Sequence, residues 1–494
     1  MRLRNGVSLF AGGLLACLIS VNGAGQSKPT SAAAKTAMTS SSPAAETASG
    51  YNQPPKNILD VMHAQSPPTP RVSPTGDTIL LVSWQDYPSI ARVATPFLRL
   101  AGARVEPKNH SKHDTPGGYG ITPCATKYDL VHIADGAEMH VALPAGACPG
   151  EPIWAADGKR FAFANIAAES VELWIGDAKT GAAHRVAEVR LNPMFGNELQ
   201  WMPDQKTLLV KLVPKGMGAA PQTAEAPVGP SIQESDGQKG QSSTYENRDT
   251  LGNKHDEDVF DYYAASQLAL VNVASGTVTS VGKAANYESV DPAPDGKHVL
   301  VTTIHKPYSY VTTYDRFPKE VEVWDVSTPA HVAMHTIVSL PLADRVPIHG
   351  VPLGPREFSW RATDPATLVW AEALDGGDWH VKVPNRDKIM LLKAPFDAPA
   401  AEITRTEQRY EGVMSGEKAD VALISEYDDN RHWIKVFNFN FDDPEHSKKL
   451  LFDFSRDEKY KNPGKPVERQ LANGRSVVRQ EGDSIYMAGI GSSP

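Results

Sequence analysis

Apolar positions along this chain fall into short runs, and most runs are entered through a turn. Ser73-Pro74-Thr75-Gly76-Asp77 precedes Thr78-Ile79-Leu80-Leu81-Val82, and Ala156-Asp157-Gly158-Lys159 precedes Arg160-Phe161-Ala162-Phe163. Met202-Pro203-Asp204-Gln205 leads to Leu208-Leu209-Val210, and Ala293-Pro294-Asp295-Gly296-Lys297 to Val299-Leu300-Val301. Ala362-Thr363-Asp364-Pro365 leads to Leu368-Val369-Trp370, Ser415-Gly416-Glu417 to Val421-Ala422-Leu423-Ile424, and Ala472-Asn473-Gly474 to Ser476-Val477-Val478. Asp-Gly and Asn-Gly accept the positive φ that tight hairpins demand. The β-branched and aromatic runs behind them read as strands.

Several units carry a second strand followed by its own turn. Leu173-Trp174-Ile175-Gly176-Asp177 with Thr180-Gly181 is one, and Leu270-Val271-Asn272-Val273 with Ser275-Gly276 another; Val321 to Val326 supplies a third strand of this kind. Repeated hairpins of this type build four-stranded blades. The expected fold is all-β, a β-propeller of about seven four-stranded blades over 71–494, the last incomplete. The turns recur at roughly 50 to 90 residues, against about 40 to 50 for a compact blade, so insertions must take up the excess. The largest is 214–254, rich in Gly, Pro, Gln, Ser and Ala. A second irregular stretch, 104–123, holds Gly117-Gly118-Tyr119-Gly120. Strands do not alternate with long helical segments, which excludes a doubly wound α/β fold and an α/β-hydrolase domain in this chain. No complete G-x-S-x-G is present either.

The N-terminus has a different grammar. Arg2 and Arg4 precede an apolar run from Val7 to Ser20 that is too short to span a bilayer, so 1–24 is expected to be a signal peptide. Leu14-Leu15-Ala16-Cys17 resembles a lipobox in which Leu15 fits poorly, making Cys17 a lipidation candidate. Export to the periplasm or the medium is expected, with a lipoprotein as the minor alternative. The Ser/Thr/Ala-rich stretch 25–50 cannot bury a core and is expected to be a disordered tether, and 51–70 an N-terminal arm. Of the three cysteines, Cys124 and Cys148 remain after export as a disulfide candidate, with two unpaired thiols as the other reading. The net charge of -9 argues against nucleic acid or an anionic membrane surface as partner.

A set of unusual strings carries a family resemblance. GYNQPPKNILDV, DEDVFDYYAASQLAL, IHKPYSY, RFPKEVEVW, SLPLADRVPI and SWRATDPATLVWAEALDGGD follow one another from Tyr51 onward, and their order and wording resemble the propeller portion of glutamyl endopeptidase-like serine peptidases of the prolyl oligopeptidase group. The resemblance implies a propeller that restricts access to a catalytic Ser-Asp-His domain and passes peptides rather than folded proteins. It implies cleavage after acidic residues, and a peptide substrate met through a hydrolase domain not present in this chain. No position matches a triad residue, so no catalytic residue is assigned and the chain alone is expected to be inactive. No cofactor and no metal are expected. The alternative is a stand-alone periplasmic propeller that binds a protein or peptide.

Within that frame, His305 and Arg316 are the candidates for a substrate funnel. They lie in His305-Lys306-Pro307-Tyr308-Ser309-Tyr310 and Asp315-Arg316-Phe317-Pro318-Lys319, where cations and aromatics mix. Recognition of an acidic side chain needs such donors. Asn109-His110-Ser111-Lys112-His113-Asp114 lacks a third metal ligand and reads as solvated loop. His255-Asp256-Glu257-Asp258 with Asp261 fits no calcium loop and reads as a solvated acidic edge. Trp154, Trp201, Trp360 and Trp370 read as blade packing, and Asp375-Gly376-Gly377-Asp378 as a hairpin turn.

Overall fold

A computed structural model describes residues 54–114, 120–222, 248–330, 332–489 and 491. The export segment with Cys17, the tether and the middle of the long insertion lie outside the described residues. The chain divides after Gln65. The first unit contributes helix α1 (Lys56–Met62), on which Lys56 and Asp60 pair one turn apart at 2.6 Å. No helix among the described residues is long and apolar enough to cross a membrane.

The second unit is a β-propeller of antiparallel four-stranded blades. Blade I consists of Thr69–Val72, Thr78–Trp84, Ala125–His132 and Glu138–His140, so the first strand takes in the last residues of the expected arm. Blade II is Ile153–Trp154, Arg160–Ile166, Val171–Asp177 and Ala183–Leu191. Blade III is Leu199–Trp201, Thr207–Leu212, Ser266–Asn272 and the first half of the long strand Val278–Pro292. The second half of that strand opens blade IV, followed by His298–Ile304, Lys319–Asp325 and Ala333–Leu340. This shared strand, with one bridge at Leu191 and Leu212, joins blades II to IV into one continuous sheet. Blade V is Arg356–Trp360, Thr367–Ala373, Asp387–Lys393 and Ala401–Thr406, and blade VI is Arg409–Ser415, Ala422–Asp428, Trp433–Phe439 and Lys449–Ser455. Beyond them, 465–488 form three short two-stranded ladders where a seventh blade was expected.

The strands read as nearly unbroken apolar runs because both faces are covered. Leu208 and Val210 join the core against blade II, while Leu209 between them joins the core against blade IV. Leu368 and Trp370 face blade IV, and Val369 and Ala371 face blade VI. The period of two thus divides one strand between two neighbours, and a one-residue slip would exchange them. Five such interfaces follow in order: I–II, II–III, III–IV, IV–V and V–VI.

The tryptophans do more than pack. The indole N–H of Trp154 donates to the carbonyl of Arg71 at 3.1 Å, Trp201 to Ile153 at 3.0 Å and Trp360 to Asp291 at 2.9 Å. Each acceptor lies on the first strand of the preceding blade, so one hydrogen bond type ties consecutive blades together. The turns between first and second strands meet at the same end. Ala156 N donates to Gln205 Oε1, Asp295 N to Pro365 O, and Ala362 N to Ser415 Oγ. The seventh turn docks among them: Asn473 Nδ2 donates to Ala362 O at 3.1 Å and Arg475 Nη2 to Asp291 Oδ1 at 2.8 Å. Cys124 and Cys148 are joined as a disulfide between the approaches to blades I and II, with Cα atoms 4.6 Å apart.

Candidate functional site

Because the strands alternate in direction, the connections from second to third strand and from one blade to the next all leave from the end opposite those turns. The long insertions are of this kind. That of blade I carries helix α2 (Ile90–Val93), capped by Ser89, and the hairpin Leu98–Leu100 with Ala103–Val105. That of blade III ends in helix α3 (Lys254–Ala264). The side chain of Asn253 accepts from Asp256 N, and Asp256 and Glu257 sit in the first turn, where the helix dipole favours acid. The expected acidic edge is therefore the start of a helix. That of blade IV spans 305–318.

These segments share a core of their own. Leu100 and Val105, Phe195, Phe260 and Tyr263, and Phe317 are buried together. The Phe260 ring lies 5.1 Å from Tyr308, 5.7 Å from Phe317 and 6.0 Å from Phe195. Gly102, at φ 86°, lets the blade I hairpin approach, since a Cβ there would meet Thr313 Cγ2 at 2.7 Å.

Charges on this platform are largely paired. Lys306 Nζ stands 2.7 Å from Asp261, and Lys254 Nζ 2.7 Å from Asp258. Tyr308 donates its hydroxyl to Asp261, and Tyr310 donates to Glu257 at 2.8 Å. Burial and then the Asp261 contact push the Tyr308 phenol far above its ordinary range, so its proton stays in place. The stretch Asn109 to Asp114, read from sequence as solvated, is buried apart from half-buried Lys112. Asn109 Nδ2 donates to Ala167 O, Glu106 sits between Arg92 and His113, and Arg104 bridges Asp114 and Asp249 at 2.7 Å each. No group of His, Cys, Asp or Glu able to hold a metal was found among the described residues.

His305 and Arg316 both belong to the blade IV insertion and do not bond each other. His305 is exposed at its neck, with Nδ1 2.7 Å from the Lys306 carbonyl. Arg316 is half-buried. Its Nε lies 3.5 Å from Asp315, and its buried Nη1 has no hydrogen-bond partner among the described residues. No serine hydroxyl among the described residues is hydrogen-bonded to a histidine ring.

A second cationic feature, unmarked in the sequence reading, lies on the same face between blades V and VI. Asp375 and Asp387 are buried. Asp375 Oδ2 accepts from Arg386 Nη1 at 2.8 Å and Arg409 Nη2 at 2.5 Å. Asp387 accepts from Arg409 Nη1 at 2.9 Å, Arg356 Nη2 at 2.5 Å and Tyr410 N at 2.8 Å. A shallow notch opens above this network, lined by His349, Trp379, Arg386, Arg409, Tyr427 and Asp429 among others. The glycines after Asp375 do form a turn, at φ 68° and 77°. The signal that could have marked the network is Arg386-Asp387 and Arg409, charged residues at the mouths of otherwise apolar strands.

No family model matches the chain. It is 33% identical over 467 residues, 90% of its length, to the probable chloroplastic glutamyl endopeptidase of Oryza sativa subsp. japonica, covering 48% of that protein. The corresponding protein of Arabidopsis thaliana is 32% identical over 474 residues, covering 90% of this chain and 47% of the relative. The chain spans about half the length of the curated relatives it matches. Among solved structures, the β-propeller domain of the trilobed protease from Pyrococcus furiosus aligns with a TM-score of 0.38 at 9% identity, over 78% of this chain and 83% of that one.

Proposed function

We propose that this chain, glutamyl endopeptidase-like over nine tenths of its length, is the propeller through which peptide substrate reaches a serine-peptidase catalytic domain that cleaves after acidic residues. The observation that carries this reading is the sequence relationship to the two plant enzymes. The gathering of every long insertion on one end of the blades supports it, since a gate needs one decorated face. His305 and Arg316 are funnel residues in this reading, and a peptide, not nucleic acid, is the partner. The relatives are named for the chloroplast; for this chain the N-terminal segment supports export to the periplasm or the medium, with Cys17 as an alternative lipid anchor.

The test is turnover of a fluorogenic peptide containing a single Glu. The chain alone is expected to give none, and the same chain supplied with the hydrolase domain of a relative is expected to cleave after Glu. Turnover by the chain alone that a serine-reactive fluorophosphonate abolishes would overturn the assignment. Reading the DNA past the codon for Pro494 is the cheaper check: a frame carrying G-x-S-x-G followed by Asp and His supports the gate, and its absence favours the stand-alone binder.

A further inference from the structure

We infer that the notch between blades V and VI is a carboxylate-recognition subsite, which takes the acidic side chain of an extended peptide; naming a peptide as the ligand rests on the gating reading. Three guanidinium groups, Arg356, Arg386 and Arg409, surround two buried carboxylates, Asp375 and Asp387. The network therefore carries one cation in excess.

Its donors are also in excess. Arg409 and Trp379 line the notch, and their Nε and Nε1 atoms are buried with no hydrogen-bond partner among the described residues; Arg356 Nη1 is in the same state. Arg386 commits only Nη1, to Asp375 and more weakly to the Val381 carbonyl at 3.5 Å, which leaves Nε and Nη2 for a ligand. Unmade bonds of this kind are costly when buried, and a bound oxyanion removes that cost. An Arg edge offers two parallel N–H groups, the geometry a carboxylate accepts.

The rim selects among anions. Asp429 is held by His349 at 2.5 Å, and Asp428 Oδ1 accepts the backbone N–H of Asn430 at 3.1 Å. Two acidic residues thus stand at the opening, which disfavours a doubly charged phosphate relative to a singly charged carboxylate. The notch is small, a cavity of about 20 Å3, so it admits only the terminal oxygens of a side chain. Arg316 also has an unpartnered nitrogen among the described residues, but it does not line this notch.

The experiment is calorimetric titration of the purified full chain at low salt with two capped pentapeptides, Ala-Ala-Glu-Ala-Ala and its Gln isostere. The Glu peptide is expected to bind at least tenfold more tightly. Arg386→Gln is expected to erase that preference while leaving the thermal midpoint within a few degrees, because Arg386 stands at the edge of the network. Trp379→Phe, which removes only the indole N–H, is expected to weaken the preference several-fold and decides the matter if Arg386→Gln does not fold. Equal binding of the two peptides, or a preference intact in both variants, overturns the subsite. A preference lost in Arg316→Gln but kept in Arg386→Gln also overturns it, yet leaves the gating reading standing. The hydrolase-domain assay reports on that reading separately.

Discussion

At one end of the blades the connections are tight turns, and they touch one another blade by blade; at the other, three of them swell into segments that pack together before they pack on the blades. The turn end is repetitive. Gly76, Gly158, Gln205 and Gly296 occupy equivalent places, each at positive φ with its N–H bonded to the carbonyl three residues back. The decorated end is not repetitive. Its core draws Leu100 from blade I's insertion, Phe260 from blade III's and Phe317 from blade IV's, and none of its described residues comes from blade VI. Repetition gives the ring its stability. The departure from repetition places His305 and Arg316, both in the blade IV insertion, on one face.

A pair of phenylalanine truncations separates the two ends most sharply. Phe161 is fully buried between blades I and II, edge-on to Trp154 at 5.4 Å, and it fills the space that Gly176 leaves by lacking a Cβ. Phe260 is equally buried in the decorated core. Phe161→Ala is expected to cost about 3–5 kcal/mol of global stability, read from urea denaturation. Phe260→Ala creates a comparable cavity in the decorated core. Its expected signature is faster amide hydrogen exchange across α3 while the strand Phe161–Ile166 stays protected. Loss of protection in both places together would mean that the two ends are one cooperative unit.

The same contrast explains what could be seen in the residues beforehand. Turn-then-strand periodicity carries the blades, because Asp157-Gly158 or Asp295-Gly296 determines local backbone geometry and Leu208-Leu209-Val210 determines which faces are covered. The site was legible only in part. His305 and Arg316 fall on the decorated face, but the Arg386–Asp375–Arg409–Asp387 network did not stand out, since its partners are up to 34 residues apart and meet only after two strands have paired. Asn109 to Asp114 misled for a related reason. Polar residues in an aperiodic stretch look solvated unless their distant partners are known, and Asn109 finds Ala167 at 58 residues' separation. The tryptophans were read as packing because a blade-to-blade indole bond leaves no periodic trace.

His110 offers a pH test of the decorated end. Burial, reinforced by the nearby charge of Arg190, pulls its imidazole down to about 4 from the ordinary 6.5, and its Nδ1 has no hydrogen-bond partner among the described residues. The folded protein therefore holds it neutral across a window in which the unfolded chain binds a proton. Stability contributed by the neutral ring is full above pH 6.5 and is lost as the pH falls toward 4, by roughly 3 kcal/mol at most. His110 adopts φ 62°, so the replacement that tolerates the backbone is Asn. Denaturation at pH 7 and pH 4.5 should show a smaller acid loss in His110→Asn than in the parent. Identical acid losses would show that His110 is not held neutral.

The smallest expected effect lies at the turn end. Trp201→Phe keeps an aromatic ring and deletes the N–H that reaches the Ile153 carbonyl of the preceding blade. The Trp201 ring is only half-buried and packs beside the core between blades II and III. The loss should be that of one hydrogen bond, about 0.5–1.5 kcal/mol, with the cost set by how readily water replaces the donor at the freed carbonyl. Trp154→Phe and Trp360→Phe delete the equivalent bonds to Arg71 and Asp291, and three values within a few tenths of one another would show that the repeat is energetic as well as geometric. The three interfaces share no side chain in these bonds, so the double variant of Trp154 and Trp360 should be additive. Coupling larger than about 0.5 kcal/mol between those two positions would mean that strain is passed around the ring rather than settled at each blade junction.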